Sequence, residues 1–307
     1  MRVIDIDNIV GNMRDQTAFV LRCEEVFHDK VSSACATILN SKKRTILLSG
    51  PSGSGKTTTA NRIRTYLENL GIPVIMLSMD NFFIPVDERP AEAEDWESPL
   101  CVNFKKLTDC IHELKNGKVV NIPIYDFKTG TAAESFPLQG NRDAFVIIEG
   151  IHALNPLMYD GVRDEAIGVY VTPRTRIVTR DDKIVTPERI RVARRMIRDF
   201  NTRGHSLRDT VMRAESVDRG EVNYIKPFKT NAPIHIDTFH DYELCIISRY
   251  LRELPEFNSQ LDQEFIDEYG LTELMKVVRE IPPLMTPYVP KDSLIREFIG
   301  NSIYYES

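Results

Sequence analysis

The sequence predicts an α/β protein with a mostly parallel central sheet, and two observations carry this prediction. From residue 44 onward, short apolar runs alternate with helical segments, which is typical of a parallel sheet covered by helices. The first run leads into a glycine-rich turn at residues 50–57, which fits G-x-x-x-x-G-K-[ST] and precedes an amphipathic helix. Together they predict the three-layer α/β/α architecture of a P-loop NTPase, with a helical lid and helical N- and C-terminal extensions.

The remaining elements follow from local patterns. We expect strands over residues 44–49, 74–78, 145–150 and 167–171, helices over 56–70, 104–114 and 186–200, and a surface loop over 85–99. Thr186 and Pro187 should open the last of these helices, with a hydroxyl cap and a proline at the first helical position. The resulting domains are an N-terminal helical arm (1–42), a P-loop domain (43–240) and a helical C-terminal extension packed on the core (241–307).

Composition excludes several classes of protein. The chain has 307 residues, a net charge of −6 and a pI near 5.6, which argues against a dedicated nucleic-acid-binding protein. Its five cysteines form no C-x-x-C pair and are expected to be reduced thiols of a cytoplasmic protein. No apolar run approaches about 18 residues, so no membrane span is expected.

The glycine-rich turn is the strongest functional signal. In a P-loop the glycines let backbone N–H groups face phosphates, and the helix N-terminus adds partial positive charge. Lys56 should reach the terminal phosphates of ATP, and the Thr57 hydroxyl should hold Mg²⁺. The predicted ATP-binding residues are Gly50, Ser52, Gly53, Ser54, Gly55, Lys56, Thr57 and Thr58.

Two acidic residues follow predicted strands. Ligands of an open parallel sheet bind outside the carboxyl ends of its strands, where Asp80 and Glu149 are expected. Glu149 is suited to hold Mg²⁺ through water, and Asp80 to accept the proton of a hydroxyl that attacks the γ-phosphate. The alternatives are a helix-capping role for Glu149 and a turn position for Asp80.

The predicted helix over 186–200 carries Arg191, Arg195 and Arg198 on one face. Such a face suits a lid that closes over phosphates, with Arg203 following it. One alternative is a solvated basic face paired with Glu188 and Asp199. An RNA-binding face is another, and the acidic remainder of the chain disfavours it.

Five segments together resemble the uridine kinase/phosphoribulokinase family over about residues 44–240. They are residues 50–58, 77–83 (L-S-M-D-N-F-F), 123–127 (P-I-Y-D-F), 148–152 (I-E-G-I-H) and 195–204 (R-M-I-R-D-F-N-T-R-G), in the order seen in uridine kinases. The segments 216–221 and 293–300 are similar to those of longer bacterial uridine kinase-related proteins.

The resemblance implies ATP- and Mg²⁺-dependent phosphorylation of a nucleoside 5′-hydroxyl, with Asp80 as the general base. It places Lys56, Arg195 and Arg203 at the transferred phosphate. It also implies that Glu97 stands where the family has a ribose-binding Asp, that Tyr125 borders the nucleoside and that Arg198 binds the acceptor. Family members often form homo-oligomers, although no interface is legible in the sequence.

The chain departs from the family at three base-reading positions. Gly130 replaces a base-contacting His, His205 an arginine, and Arg213 a base-contacting Gln. A site that reads a base by hydrogen bonds loses discrimination when those partners change. The acceptor could therefore be uridine or cytidine, another nucleoside, a sugar, or an alcohol whose anionic group pairs with Arg213.

Two further functional classes stay open at the level of sequence. The altered base-reading positions and the C-terminal region are compatible with a regulator that senses a nucleotide without turnover. The arginine face is compatible with an ATPase that acts on RNA or on a protein. The expected partner is nevertheless a small-molecule acceptor, with no nucleic acid and no membrane.

Overall fold

The computed structural model describes residues 2–93, 95–254 and 257–304 of the chain. The strands in this part are β1 (Val3–Asp5), β2 (Thr45–Ser49), β3 (Val74–Ser78), β4 (Val119–Asp126), β5 (Thr131–Gln139), β6 (Phe145–Glu149), β7 (Ala166–Thr172), β8 (Arg176–Val178), β9 (Ile184–Val185) and β10 (Ile234–Asp237).

Helices surround these strands. They are α1 (Ile6–Asn12), α2 (Gln16–Asn40), α3 (Lys56–Asn69), α4 (Phe104–Lys115), α5 (Pro156–Tyr159), α6 (Pro187–Arg203), α7 (Leu207–Met212), α8 (Ala214–Gly220), α9 (Glu243–Glu253), α10 (Phe257–Gln260), α11 (Gln263–Glu268), α12 (Thr272–Glu280) and α13 (Arg296–Ile299). The predicted loop over 85–99 contains one short 3₁₀ turn at Val86–Glu88, and a second begins at Pro99.

A five-stranded parallel sheet forms the centre, in the order β10-β7-β2-β6-β3. Every residue of β2 and β6 is buried, as expected for strands covered on both faces. The carboxyl ends of β2, β6 and β3 lie side by side, and these are the strands that precede the P-loop, Gly150 and Asp80. The predicted three-layer α/β/α fold is confirmed.

Two smaller sheets were not predicted. Strand β1 pairs in parallel with β8, which pairs with β9, and β4 and β5 form an antiparallel hairpin. Strands β1, β8 and β9 have only two or three residues each, which is too short for a periodic signal. The N-terminal segment thus contains a strand as well as helices α1 and α2.

One large hydrophobic cluster connects the sheet with both ends of the chain. It includes Phe27 of α2, Ile46 of β2, Leu244 of α9 and Val278 of α12, each almost completely buried. Because α9 and α12 contribute core residues, the C-terminal helices lie on the same core as the sheet.

Helix α6 differs from its prediction at both ends. It continues past Phe200 to Arg203, because Gly204 adopts φ 66° and supplies the left-handed residue that ends it. Thr186 occupies the N-cap position, yet its side chain makes no capping hydrogen bond, so the predicted hydroxyl cap is wrong. Burial raises the pKa of Glu188. The Thr186 hydroxyl lies close to the Glu188 carboxylate and helps to lower the pKa below its usual value.

Candidate active site

The P-loop connects β2 to α3 through positive-φ glycines. Gly53 has φ 75° and Gly55 has φ 87°, and both conformations favour glycine. Gly50 has no room for a side chain, because a Cβ there would lie 2.0 Å from the carbonyl oxygen of Val171. The Lys56 ammonium donates to the Pro51 carbonyl at 3.2 Å, so it lies folded over the loop.

Two arginines of α6 bind carbonyl groups of this loop. Arg191 donates to the carbonyl of Ser52 and Arg194 to that of Gly53, both at 3.2 Å. Arg194 is completely buried and binds Glu243 of α9 through two hydrogen bonds of 3.0 and 2.7 Å. These contacts connect the phosphate loop to the C-terminal helices.

The arginines of α6 do not form a solvated face. Arg191 and Arg195 are buried, and Arg191 pairs with buried Glu221. Glu188, the expected partner in the solvated alternative, pairs instead with Lys226 at 3.5 Å. The solvated-face alternative is therefore wrong for the N-terminal part of the helix.

The acidic residues at the neighbouring strand ends form an electrostatic cluster with Lys56. Glu149 is buried and accepts a hydrogen bond of 2.7 Å from the Ser78 hydroxyl. Burial and, after it, the negative charge of Asp80 raise the pKa of Glu149 to about 7, while Lys56 opposes the shift. Asp80 itself is the exposed residue of a 3₁₀ turn, Met79–Phe82, that directly follows β3. The structure thus brings Lys56, Asp80 and Glu149 together.

Glu97 approaches the same cluster from the loop before α4. Its Oε2 is inaccessible to solvent and has no hydrogen-bond partner among the described residues. Burial raises the pKa of Glu97 to about 7 against the opposing charges of Lys56 and Arg195. Gly220 makes this placement feasible, since a Cβ there would lie 2.3 Å from the Cβ of Glu97.

Asp199 organises the C-terminal half of α6. It accepts a hydrogen bond of 2.8 Å from Arg198 and lies 3.5 Å from Arg203. Arg198, followed by burial, lowers the pKa of Arg203, whereas Asp80 and Glu97 raise it. Burial and then Arg198 lower the pKa of Arg195 to about 10. Arg195 therefore lies within electrostatic range of Glu97, and Arg203 within range of Asp80 and Glu97.

Tyr125 belongs to an aromatic cluster with Phe83 and Phe127, whose ring centroids lie 4.9 to 5.5 Å apart. Arg89 extends over the cluster. Its guanidinium lies 3.9 Å from the ring centroid of Trp96 and donates to the Tyr125 hydroxyl at 2.8 Å. This arrangement forms an aromatic wall with one cation on it.

The three departures from the family pattern lie in two places. A Cβ on Gly130 would lie 2.6 Å from Val86, so Val86 fills the space beside this position. His205 and Arg213 contact each other at 3.2 Å around α7. Among residues 2–93, 95–254 and 257–304, no hydrogen bond or ion pair connects this pair to the acidic cluster.

Three residues at the site were not expected from the sequence. Arg194 was not predicted, because an arginine between apolar helix positions has the sequence pattern of a surface residue. Arg89 falls in a proline-rich loop without periodicity. Glu297, which binds Thr58 of the P-loop helix, lies 239 positions further along the chain. The similarity of segment 293–300 to uridine kinase-related proteins was the only signal near it.

Oxygen donors suited to Mg²⁺ lie at the loop, namely the Thr57 hydroxyl and the Glu149 carboxylate. Within the described part of the chain, no group of three or more His, Cys, Asp or Glu residues is arranged to hold a metal ion by itself. Mg²⁺ in a kinase site is held through one or two protein ligands, substrate phosphates and water, and the residues present fit that pattern.

The fold and the loop geometry define a P-loop protein. The family model described as "Phosphoribulokinase / Uridine kinase family" matches residues 45–244, and the chain belongs to this family. A uridine kinase of Saccharomyces cerevisiae is 28% identical over 259 residues, which are 77% of this chain and 46% of the yeast protein. A uridine kinase of Staphylococcus aureus strain JH9 is 30% identical over 202 residues, covering 64% of this chain and 88% of that protein. The chain thus spans about half the length of the relatives from yeast and Dictyostelium discoideum that it matches.

A solved structure supports the fold. A Silicibacter protein, provisionally described as a fructose transport system kinase, superposes with a TM-score of 0.51 at 20% identity, over 67% of this chain and 98% of that chain. In the described residues, no helix is both long and apolar enough to cross a membrane.

Proposed function

We propose that this protein is an ATP-dependent kinase that transfers the γ-phosphate to a hydroxyl of a small molecule, with the 5′-hydroxyl of a nucleoside such as uridine or cytidine as the first candidate. The observation that carries the proposal is the electrostatic cluster formed by Lys56, at the start of α3, with Asp80 and Glu149, at the adjacent ends of β3 and β6. The relatives named uridine kinase support the same reaction type. We place the reaction in the cytoplasm, in keeping with five free cysteines.

The P-loop would bind the phosphates of ATP. Its N–H groups and the N-terminus of α3 supply partial positive charge, and Lys56 would leave the Pro51 carbonyl to reach the terminal phosphates. Arg195 and Arg203 would neutralise charge that develops on the transferred group. Arg191 and Arg194 would act indirectly, because they fix the carbonyls of the loop.

Asp80 would act as the general base. Its exposed carboxylate follows β3 and can accept the proton of a hydroxyl that approaches the γ-phosphate. Thr57 and Glu149 would hold Mg²⁺, which when bound offsets the negative charge of the phosphates. Glu149 must be ionised for this role, and its raised pKa makes that dependent on pH near neutrality.

Glu97, Tyr125 and Arg198 would form the acceptor side. The unpartnered Oε2 of Glu97 is suited to accept hydrogen bonds from the hydroxyls of a sugar. The aromatic wall around Tyr125 is suited to a flat group beside that sugar.

One observation favours a second acceptor class. Val86 fills the space beside Gly130, and Arg89 places a cation on the aromatic wall. Guanidinium groups bind carboxylates and phosphates. A sugar or alcohol with an anionic group is therefore the alternative to a nucleoside.

An ADP-release assay with Mg-ATP tests the proposal against nucleosides, sugars and small phosphorylated alcohols. Asp80→Asn serves as the control for acceptor-dependent turnover. Stimulation by uridine or cytidine supports a pyrimidine nucleoside kinase, whereas stimulation by anionic alcohols alone supports the second class. If no acceptor stimulates ADP release while nucleotide still binds, the kinase proposal fails and a nucleotide-sensing regulator replaces it.

A further inference from the structure

A segment of the C-terminal extension lies directly on the P-loop. Leu294 fills the space beside Gly55, where a Cβ would lie 2.5 Å from its Cδ1. The neighbouring Ser293 hydroxyl lies 2.9 Å from the hydroxyl of buried Tyr242. The segment is therefore part of the wall of the phosphate site.

Glu297 of this segment binds the first turn of α3. Its Oε2 accepts hydrogen bonds from the Thr58 hydroxyl at 2.8 Å and from the Thr58 backbone N–H at 3.3 Å. The N-cap residue of α3 is Gly55, which has no side chain to accept this N–H. A distant carboxylate thus binds a backbone donor that a local cap commonly satisfies.

The same first turn is where a P-loop binds phosphate. Its N–H groups face the anionic ligand, and a carboxylate satisfies the donors and the helix dipole in the same way as a phosphate oxygen. We propose that Glu297 is an internal competitor of the nucleotide: its carboxylate occupies a phosphate position on α3 and must leave Thr58 before a nucleotide phosphate can bind there. This inference rests on the proposed function, because it requires that the loop bind a nucleotide.

The segment around Glu297 can stay in place when its carboxylate leaves. Leu294, Arg296 and Phe298 are buried, and Arg296 donates to the carbonyls of Thr286 and Val289 at 3.1 and 2.6 Å. Glu297 itself is partly exposed. A change of side-chain rotamer is therefore sufficient, and it moves the carboxylate without unfolding α13.

Charge explains why the competition should weaken nucleotide binding. Glu297 adds negative charge near Glu149 and helps to raise the pKa of that residue. When phosphates arrive, the displaced carboxylate stays close to them in a partly desolvated site, so repulsion persists after displacement.

The test is calorimetric titration of the intact chain with Mg-ADP, without any acceptor. Glu297→Gln keeps the size of the side chain and removes its charge, and we expect it to tighten Mg-ADP binding by at least about fivefold. Asp292→Asn is the matched control, because Asp292 belongs to the same segment and pairs with Arg62 of the same helix at 2.8 Å. It removes the same formal charge away from Thr58 and should leave the affinity within about twofold.

A second variant guards against a folding defect. Glu297→Asp keeps the charge but draws the carboxylate back from Thr58, so it should also tighten binding, though less than Glu297→Gln. Thermal melts of all variants report whether the fold is intact. Unchanged or weaker Mg-ADP binding in both Glu297 variants, with normal binding by the parent chain, overturns this inference and leaves the kinase proposal standing. Absence of binding by the parent chain and by both variants overturns the proposed function, and the inference with it.

Discussion

At the scale of single residues, the site depends on carboxylates held in unequal surroundings. Asp80 is exposed after β3, whereas Glu149 is buried beside Ser78. Burial raises the pKa of Glu149, whereas the Asp80 carboxylate is open to an approaching hydroxyl. The two carboxylates are thus suited to different tasks at the same edge of the sheet.

We expect Asp80→Asn to lower kcat by about 10²- to 10⁴-fold, the usual contribution of a general base. Mg-ATP affinity should stay within about threefold, because the role proposed for Asp80 is with the acceptor hydroxyl and not with ATP. Steady-state kinetics with the best acceptor and a separate nucleotide titration measure the two effects. A variant that loses nucleotide affinity but keeps kcat would place Asp80 on the donor side.

The raised pKa of Glu149 predicts a pH dependence of stability. Its usual pKa is 4.5, and the folded value is about 7, so between these values the folded state keeps a proton that the unfolded chain has lost. Stability that this group contributes is therefore present below about pH 4.5 and is lost as pH rises toward 7.

Urea unfolding of the Mg²⁺-free protein at several pH values between 5 and 7.5 tests this expectation. Glu149→Gln should flatten the decline in the free energy of unfolding, because the amide does not titrate. Glu134→Gln, at an exposed position of β5, should follow the parent chain. Identical slopes for all three proteins would argue against the buried-carboxylate assignment.

At the scale of elements, α6 is the connection between the P-loop and the C-terminal helices. Arg194 contacts the Gly53 carbonyl, the Thr238 backbone and Glu243 while fully buried. Removing one member of a buried ion pair leaves an uncompensated charge in a low-dielectric environment.

We therefore expect Arg194→Met to lower the free energy of unfolding by about 3–5 kcal/mol. Lys105→Met is the matched control, since Lys105 forms an exposed pair with Asp109 at 2.6 Å and should change stability by under about 1 kcal/mol. Chemical denaturation measured by circular dichroism gives both values. Equal effects of the two substitutions on the free energy of unfolding would show that the buried Arg194–Glu243 pair does not stabilise the P-loop.

Sequence patterns predicted some elements much better than others. Strands β2, β3, β6 and β7 of the central sheet and helices α3, α4 and α6 have apolar periodicity and clear boundary residues, so they were predicted to within a few positions. The edge strand β10, with only four residues, was not predicted. Strands β1 and β8 were missed because pairing of distant short segments leaves no local pattern. Glu297 was missed for a similar reason: its contact with Thr58 depends on the tertiary fold and not on spacing.

At the scale of the whole molecule, the core does not end where the P-loop domain was predicted to end. Leu244, Leu251 and Val278 belong to the same hydrophobic cluster as Ile46 of β2. A chain that stops at residue 240 would therefore expose a broad apolar surface of α6 and α2.

We expect a chain of residues 1–240 to be insoluble or to lack a cooperative unfolding transition. Expression yield, circular dichroism and thermal melting, compared with the intact chain, measure this. A soluble fragment with a cooperative melt would instead establish residues 241–307 as a separable extension.

The position of β1 has a consequence for how the chain folds during synthesis. Val3 pairs with Arg176, and Arg2 forms an ion pair with Asp241, so β1 finds its partners only after the segments around Arg176 and Asp241 have left the ribosome. Contacts of such long sequence separation form late and slowly. Strand β1 must therefore stay unpaired until those later segments have been synthesised, and its docking belongs to the last steps of assembly rather than to the first.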